Sequence, residues 1–119
     1  MAVDDSAEMR LIVRASLESF GFSVEAVDSG HAALEAARLE SFDAVILDVD
    51  MPGLDGLAVG RALRADPRTC LSMIAMHTSV DETVVRTGFD KYDVYLPKPC
   101  SPRALGERVV EALRARGAA

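Results

Sequence analysis

The sequence predicts an α/β fold in which a doubly wound parallel sheet carries helices on both faces. Helical periodicity alternates with short apolar runs along all 119 residues, with no repeat or low-complexity tract. Residues 44–47 read Ala-Val-Ile-Leu, an uninterrupted apolar run typical of a strand that is buried on both sides. Because crossovers between successive strand-helix units are right-handed, such units assemble into a parallel sheet.

The first half of the chain is predicted to hold three strands and two helices. The first helix follows a short strand at residues 1–3; its apolar face runs from Met9 to Phe20, with Asp5 and Glu8 as a capping box and Gly21 as its end. The remaining elements are a strand at residues 22–27, a helix with an apolar stripe at Ala33, Leu34 and Ala37, and the strand at residues 44–47, which ends at Asp48.

The second half is predicted to contain two more strands and three more helices. Pro52 and Gly53 indicate a turn. The elements that follow are a third helix marked by Leu57 and Leu63, a strand at residues 71–76, a fourth helix through Val84 and Val85 that Gly88 ends, a strand at residues 94–96, and a final helix after Pro102.

Composition limits the classes of function. The length suits one domain, residues 1–119. The net charge of -6 argues against direct binding of nucleic acid, and no apolar stretch approaches the roughly 18 residues that span a bilayer. The amino terminus lacks a secretory pattern, so we expect a cytoplasmic protein without membrane partners. Cys70 and Cys100 have no metal-ligand spacing and are predicted to be isolated thiols.

Polar residues follow the predicted strands, where ligand sites of such sheets lie. They are Asp4 and Asp5, Asp48 and Asp50, Thr78 and Ser79, and Lys98. Carboxylates about 4 Å apart repel by roughly 4 kcal/mol at an effective dielectric constant near 20. A cluster of these aspartates therefore indicates a bound cation that offsets the repulsion. Oxygen ligands without His or Cys favour a hard ion, and a protein shell that leaves room for water and phosphate favours Mg²⁺.

This combination of residues predicts phosphoryl transfer to a carboxylate. Asp48 would attack in line as the nucleophile, while Mg²⁺ and Lys98 balance the charge on the transferred group. Thr78 would donate its hydroxyl to the same group.

The motifs together resemble the receiver family of bacterial two-component response regulators. The resemblance covers nearly the whole chain and rests on Asp4-Asp5, residues 45–48, residues 51–56, Thr78-Ser79 and residues 95–99. It implies a flavodoxin-like sheet of five strands in the order 2-1-3-4-5. It also implies a signalling switch with at most weak autophosphatase activity. The implied partners are a sensor histidine kinase or histidine phosphotransfer protein and a downstream effector protein.

The resemblance also implies roles for individual residues. Asp48 would be the phosphoacceptor, Asp5 and Asp48 would bind Mg²⁺ directly, Asp4 would act through water, and the backbone carbonyl of Asp50 would complete the protein ligands. The remaining implied roles are a contact of Lys98 with the phosphoryl group, a cis Lys98-Pro99 peptide, and a switch in which Thr78 bonds the phosphate and Tyr95 turns inward. This switch would change the face formed by the fourth helix, the fifth strand and the last helix.

Several positions depart from the family pattern. Only three residues precede Asp4, so the first strand must be short. The interval from Thr78 to Lys98 is shortened, so the fourth helix is expected to end early and to leave Phe89 and Tyr92 in an unusual connection. Asp50 would border the path of an attacking water. His77 could titrate near neutrality, although a packed histidine is the simpler interpretation.

Two other functions remain open from the sequence. Residues 45–50 also resemble the nucleophile strand of haloacid-dehalogenase-type phosphatases, but Pro52 stands where that motif has Thr or Val. The short first strand and altered fourth helix would also suit a receiver-like interaction module that is not phosphorylated.

Overall fold

Five strands alternate with five helices along residues 1–117, the part of the chain that this computed structural model describes. Residues 118 and 119, which belong to the predicted domain, lie outside that range. The strands are β1 (Ala2–Val3), β2 (Ala26–Val27), β3 (Ala44–Leu47), β4 (Met73–Thr78) and β5 (Val94–Pro97). The helices are α1 (Ala7–Ser19), α2 (Gly30–Leu39), α3 (Gly56–Ala65), α4 (Glu82–Gly88) and α5 (Pro102–Gly117).

All strand pairs are parallel, and the order is β2-β1-β3-β4-β5, which confirms the predicted fold class. One apolar core lies between the sheet and α1 and α5, through residues such as Leu17 and Val109. The other lies under α2, α3 and α4, through Ala33, Leu63 and Val85. The helices therefore cover both faces, and the carboxyl ends of the strands form one edge.

Strand β1 is short, as predicted, and it limits the length of the neighbouring strand β2. It pairs Ala2 with Ala26 and Val3 with Val27, and β2 contains only these two partners. The prediction of a strand over residues 22–27 was therefore too long. The Glu25 carbonyl still accepts a hydrogen bond from the Ala2 amide, but residues 22–24 have no β1 residue to pair with.

Two other boundaries differ from the predictions. Ser6, not Asp5, caps α1, because its hydroxyl accepts a hydrogen bond from the Met9 amide; the capping box does not form. Strand β4 runs from Met73 to Thr78 rather than over residues 71–76, since the ladder with β3 starts at Ala44 and Met73. Leu71 is consequently 80% exposed.

Helix α4 ends at Gly88, as the sequence predicts, and Phe89 then turns into the core. Its ring packs on α3, where a Cβ on Gly60 would lie 2.6 Å from the ring. A side chain at position 60 would therefore displace the Phe89 ring. The Lys98-Pro99 bond is cis, and Cys70 and Cys100 are free thiols, as predicted. Within residues 1–117 no helix has the length and apolar character that a bilayer crossing requires.

Candidate functional site

The ends of four strands place the predicted site residues at one edge of the sheet. Asp4 follows β1, Asp48 follows β3, Thr78 ends β4, and Lys98 follows β5. The loop after β3 turns at Gly53, whose φ of 76° favours glycine, and the Gly56 amide donates to the carbonyl of Val49. This loop brings the start of α3 back against the backbone of Asp48.

Three carboxylates meet at this edge. Asp4, Asp5 and Asp48 each offer an oxygen within 4.8 Å of the other two. Asp4 is 3% and Asp48 is 6% exposed, whereas Asp5 faces solvent. Oxygen donors of this kind, two of them withdrawn from water, fit a hard divalent cation with open coordination positions. The structure thus brings together the three carboxylates predicted to bind Mg²⁺.

Lys98 bridges the two buried carboxylates. Its Nζ lies 2.8 Å from Asp4 Oδ2 and 3.3 Å from Asp48 Oδ2. The other Asp48 oxygen, Oδ1, accepts a hydrogen bond of 2.8 Å from the Val49 amide. The Asp48 side chain is thus held at both oxygens, with Oδ2 beside the ammonium group.

The electrostatics of this pair follow from burial and charge. Burial raises the pKa of Asp48, the positive charge of Lys98 opposes that rise, and the negative charge of Asp4 adds to it. Burial disfavours the charged form of Lys98, but the hydrogen bond to Asp4 and the charge of Asp48 outweigh it and raise the Lys98 pKa. Lys98 is therefore a permanent cation at neutral pH.

Asp50 stands apart from the three carboxylates, with an exposed side chain. The prediction for Asp50 concerned its backbone carbonyl as a metal ligand, and this remains a prediction.

Thr78 and Tyr95 contact the same residue of the loop between β4 and α4. The hydroxyl oxygen of Thr78, which is fully buried, accepts a hydrogen bond of 3.1 Å from the Val80 amide. The Tyr95 hydroxyl donates to the Val80 carbonyl at 2.6 Å. Val80 therefore links the two predicted switch residues. Sequence reasoning missed it, because a backbone contact carries no side-chain signal.

His77 is a packed residue, 2% exposed. Burial, followed by the positive charge of Lys98, lowers its pKa to about 4. The suggestion that it could titrate near neutrality is wrong, because withdrawal from water penalises the imidazolium ion. His77 is neutral at the pH at which the site would work.

Comparison with known proteins agrees with the geometry. A family model described as the response regulator receiver domain matches residues 1–110. The response regulator MprA of Mycobacterium leprae is 43% identical over 117 residues, which cover 96% of this chain and 50% of that protein. The sensor protein GacS of Pseudomonas syringae pv. syringae is 36% identical over 119 residues, covering 93% of this chain and 13% of the sensor.

The chain thus spans half or less of these curated relatives. The chain also matches a smaller protein of known structure, and the match covers nearly the full length of both. The structure of the chemotaxis response regulator CheY4 of Vibrio cholerae agrees with a TM-score of 0.86 at 29% identity, covering 93% of this chain and 94% of the other. The acidic edge, the strand order and the sequence relatives lead to one conclusion: the chain belongs to the response regulator receiver domain family, whose members are signalling switches.

Proposed function

We propose that residues 1–119 act as a single receiver that accepts a phosphoryl group on Asp48 with the help of Mg²⁺. One observation carries this proposal: the buried Asp48 carboxylate lies beside Lys98 and within 4.8 Å of the Asp4 and Asp5 oxygens. A nucleophile, a cation and a metal-binding set are thus within reach of one phosphoryl group.

The transfer is a displacement at phosphorus. An Asp48 oxygen forms the new bond to phosphorus, and the bond from phosphorus to the donor nitrogen or acyl oxygen breaks. A leaving nitrogen takes the electron pair and gains a proton from water or the partner protein, whereas a leaving acyl oxygen takes the electron pair and departs as a carboxylate. The Val49 amide holds Asp48 Oδ1, which leaves Oδ2 as the oxygen nearest Lys98.

The charged residues around Asp48 have separate tasks. Lys98 offsets negative charge on the transferred group. Asp4, Asp5, Asp48 and the carbonyl of Asp50 would hold Mg²⁺, with Asp4 acting through water. The bound ion supplies positive charge for the phosphoryl oxygens.

We expect phosphorylation of Asp48 to change the outer surface of the domain through the loop between β4 and α4. A phosphoryl group on Asp48 would compete with the Val80 amide for the Thr78 hydroxyl, and Val80 also holds Tyr95. The surface formed by α4, β5 and α5 would then bind a downstream effector protein. The sequence relatives include a sensor and a response regulator, which supports a histidine kinase or phosphotransfer protein as the donor. We place the switch in the cytoplasm, with no role for direct nucleic-acid or membrane binding.

Intact mass after incubation with acetyl phosphate and MgCl₂ tests the proposal. The wild type should gain one phosphoryl group, and Asp48→Asn should gain none. Asp50→Asn is the matched control, because it removes a neighbouring exposed carboxylate and should still be labelled. Labelling of Asp48→Asn would move the acceptor elsewhere. Continuous turnover of phosphate esters would support the phosphatase alternative, and inertness of the wild type would support the unphosphorylated module.

A further inference from the structure

The chain between α4 and β5 is attached to the start of α4 through Tyr92. Its hydroxyl donates a hydrogen bond of 2.5 Å to Glu82 Oε2, in the first turn of the helix, and accepts one of 2.9 Å from Arg86 Nε. Arg86 also lies 3.3 Å from the same Glu82 oxygen. One phenol therefore closes a three-residue network across α4.

The end of α4 is attached to α3 by separate contacts. Arg61 donates to the carbonyl of Gly88, the last residue of α4, at 2.5 Å. Arg64 donates to the carbonyl of Lys91, in the connection to β5, at 2.9 Å. Phe89 is 4% exposed and packs on Gly60. The amino-terminal end of α4 is thus bonded to Tyr92, and its carboxyl-terminal end is bonded to α3.

We propose that Tyr92 is a latch that holds α4 against the connection to β5, so that phosphorylation changes the α4-β5-α5 surface at residues 79–80 and Tyr95 and leaves α4 itself in place. This inference rests on the proposed function, since it concerns how far the change at Asp48 spreads.

Because the connection is itself bonded to α3 at the Lys91 carbonyl, moving α4 relative to it requires breaking the bonds of the Tyr92 hydroxyl to Glu82 and Arg86. Ser79 and Val80 can shift through the Val80 contacts alone. Asp81 belongs with α4 as its N-cap, because its oxygens accept hydrogen bonds from amides of the first turn of that helix.

At neutral pH the Tyr92 hydroxyl is protonated and can donate its hydrogen bond to Glu82. Burial and the hydrogen bond to Glu82 both raise the pKa of Tyr92, so the phenol keeps the proton that it donates. The network is partly exposed to solvent, so its hydrogen bonds are weakened by competition with water.

Amide hydrogen exchange of residues 79–95 tests the latch in the full chain, with and without beryllofluoride and MgCl₂. In the wild type we expect exchange to change at residues 79–80 and to stay constant at residues 82–88. Tyr92→Phe removes one hydroxyl and keeps the ring. It should speed exchange in residues 82–88 by about fivefold without beryllofluoride, the size expected for one charge-assisted hydrogen bond discounted for exposure.

The same variant should also make exchange in residues 82–88 respond to beryllofluoride. Thr87→Val is the control, because it removes a hydroxyl of α4 that bonds only to the Val84 carbonyl of the same helix, and it should leave the pattern of the wild type. Equal responses of residues 79–80 and 82–88 in the wild type would overturn the latch. Unchanged exchange in Tyr92→Phe would do so as well.

Failure of the latch and failure of the proposed function give different results. If Asp48 takes no phosphoryl group, the mass experiment fails while the exchange comparison of the unmodified proteins still decides whether Tyr92 restrains α4.

Discussion

Replacing Lys98 by methionine is expected to lower the free energy of unfolding by about 2 to 4 kcal/mol at pH 7.5 without divalent cations. The side chain of Lys98 is 19% exposed, and its ammonium group lies between Asp4 and Asp48. Methionine preserves the aliphatic length but leaves two buried carboxylates facing each other without a counter-charge.

The magnitude follows from the distances. At an effective dielectric constant near 20, Lys98 attracts Asp4 by about 6 kcal/mol at 2.8 Å and Asp48 by about 5 kcal/mol at 3.3 Å. The oxygens of Asp4 and Asp48 lie within 4.8 Å, where the same treatment gives a repulsion of at least about 3 kcal/mol. The desolvation of Lys98 on folding offsets most of the attraction, and protonation of Asp48 limits the repulsion, so the net loss is smaller than these values.

The loss of stability caused by Lys98→Met should be larger at high pH than at low pH. Burial raises the pKa of Asp48 in the folded protein, and removing Lys98 raises it further. A carboxyl group with a higher pKa in the folded state destabilises the fold above that pKa, and the penalty fades as the pH falls through it. The deficit of Lys98→Met should therefore shrink on acidification. It should also shrink when MgCl₂ restores positive charge between the carboxylates.

Urea unfolding followed by far-ultraviolet circular dichroism measures these differences at pH 7.5 and pH 5, with EDTA or MgCl₂. Arg103→Met is the control, because Arg103 pairs with Glu107 on α5 while 88% exposed. Its loss should cost less than about 0.5 kcal/mol under every condition. The reasoning is refuted if Lys98→Met matches the wild type at pH 7.5 in EDTA, or if its deficit does not depend on pH.

Three further changes test other parts of the structure. MgCl₂ at ten times its dissociation constant should stabilise the wild type by about 1.4 kcal/mol, and Asp5→Ala should weaken this effect; an unchanged melting temperature would contradict the metal site. Gly56→Ala should cost about 3 kcal/mol in urea unfolding, because its Cβ would meet the Asp48 carbonyl, whereas Gly117→Ala, with no atom within 4 Å, should be near neutral. Lowering the pH from 7 to 5 should destabilise the wild type more than His77→Leu, because His77 has a pKa of about 4 when folded but near 6.5 when unfolded, so the unfolded state binds the proton first. Equal pH slopes for the two proteins would exclude that explanation.

The site could be predicted from the sequence because its residues directly follow strands. An apolar run such as residues 44–47 identifies a buried strand without any tertiary information, and parallel strands end at one edge. Asp48, Thr78 and Lys98 were therefore expected to meet, and the structure brings them to that edge. The early end of α4 at Gly88 was predictable for a similar reason, since glycine is a local helix stop.

Element boundaries were less predictable where they depend on a partner strand. Residues 22–25 have strand-like composition, yet β2 contains only Ala26 and Val27 because β1 offers two residues for pairing. Residue 71 is apolar but exposed, because the β3 ladder begins two residues later, at Met73. A sequence pattern reports the tendency of a segment, whereas hydrogen bonding to a neighbour decides its length.

The sequence by itself determined the fold class, the edge that carries the chemistry and the residues Asp4, Asp5, Asp48, Thr78 and Lys98 that gather there, because local periodicity and position after a strand are encoded residue by residue. Only the tertiary structure decided how these side chains pair. Lys98 reaches Asp4 across 94 positions of the chain, and Tyr92 reaches back to Glu82 past the end of α4. Such contacts depend on distances set by the packing of helices on the sheet, and no local pattern in the chain records them.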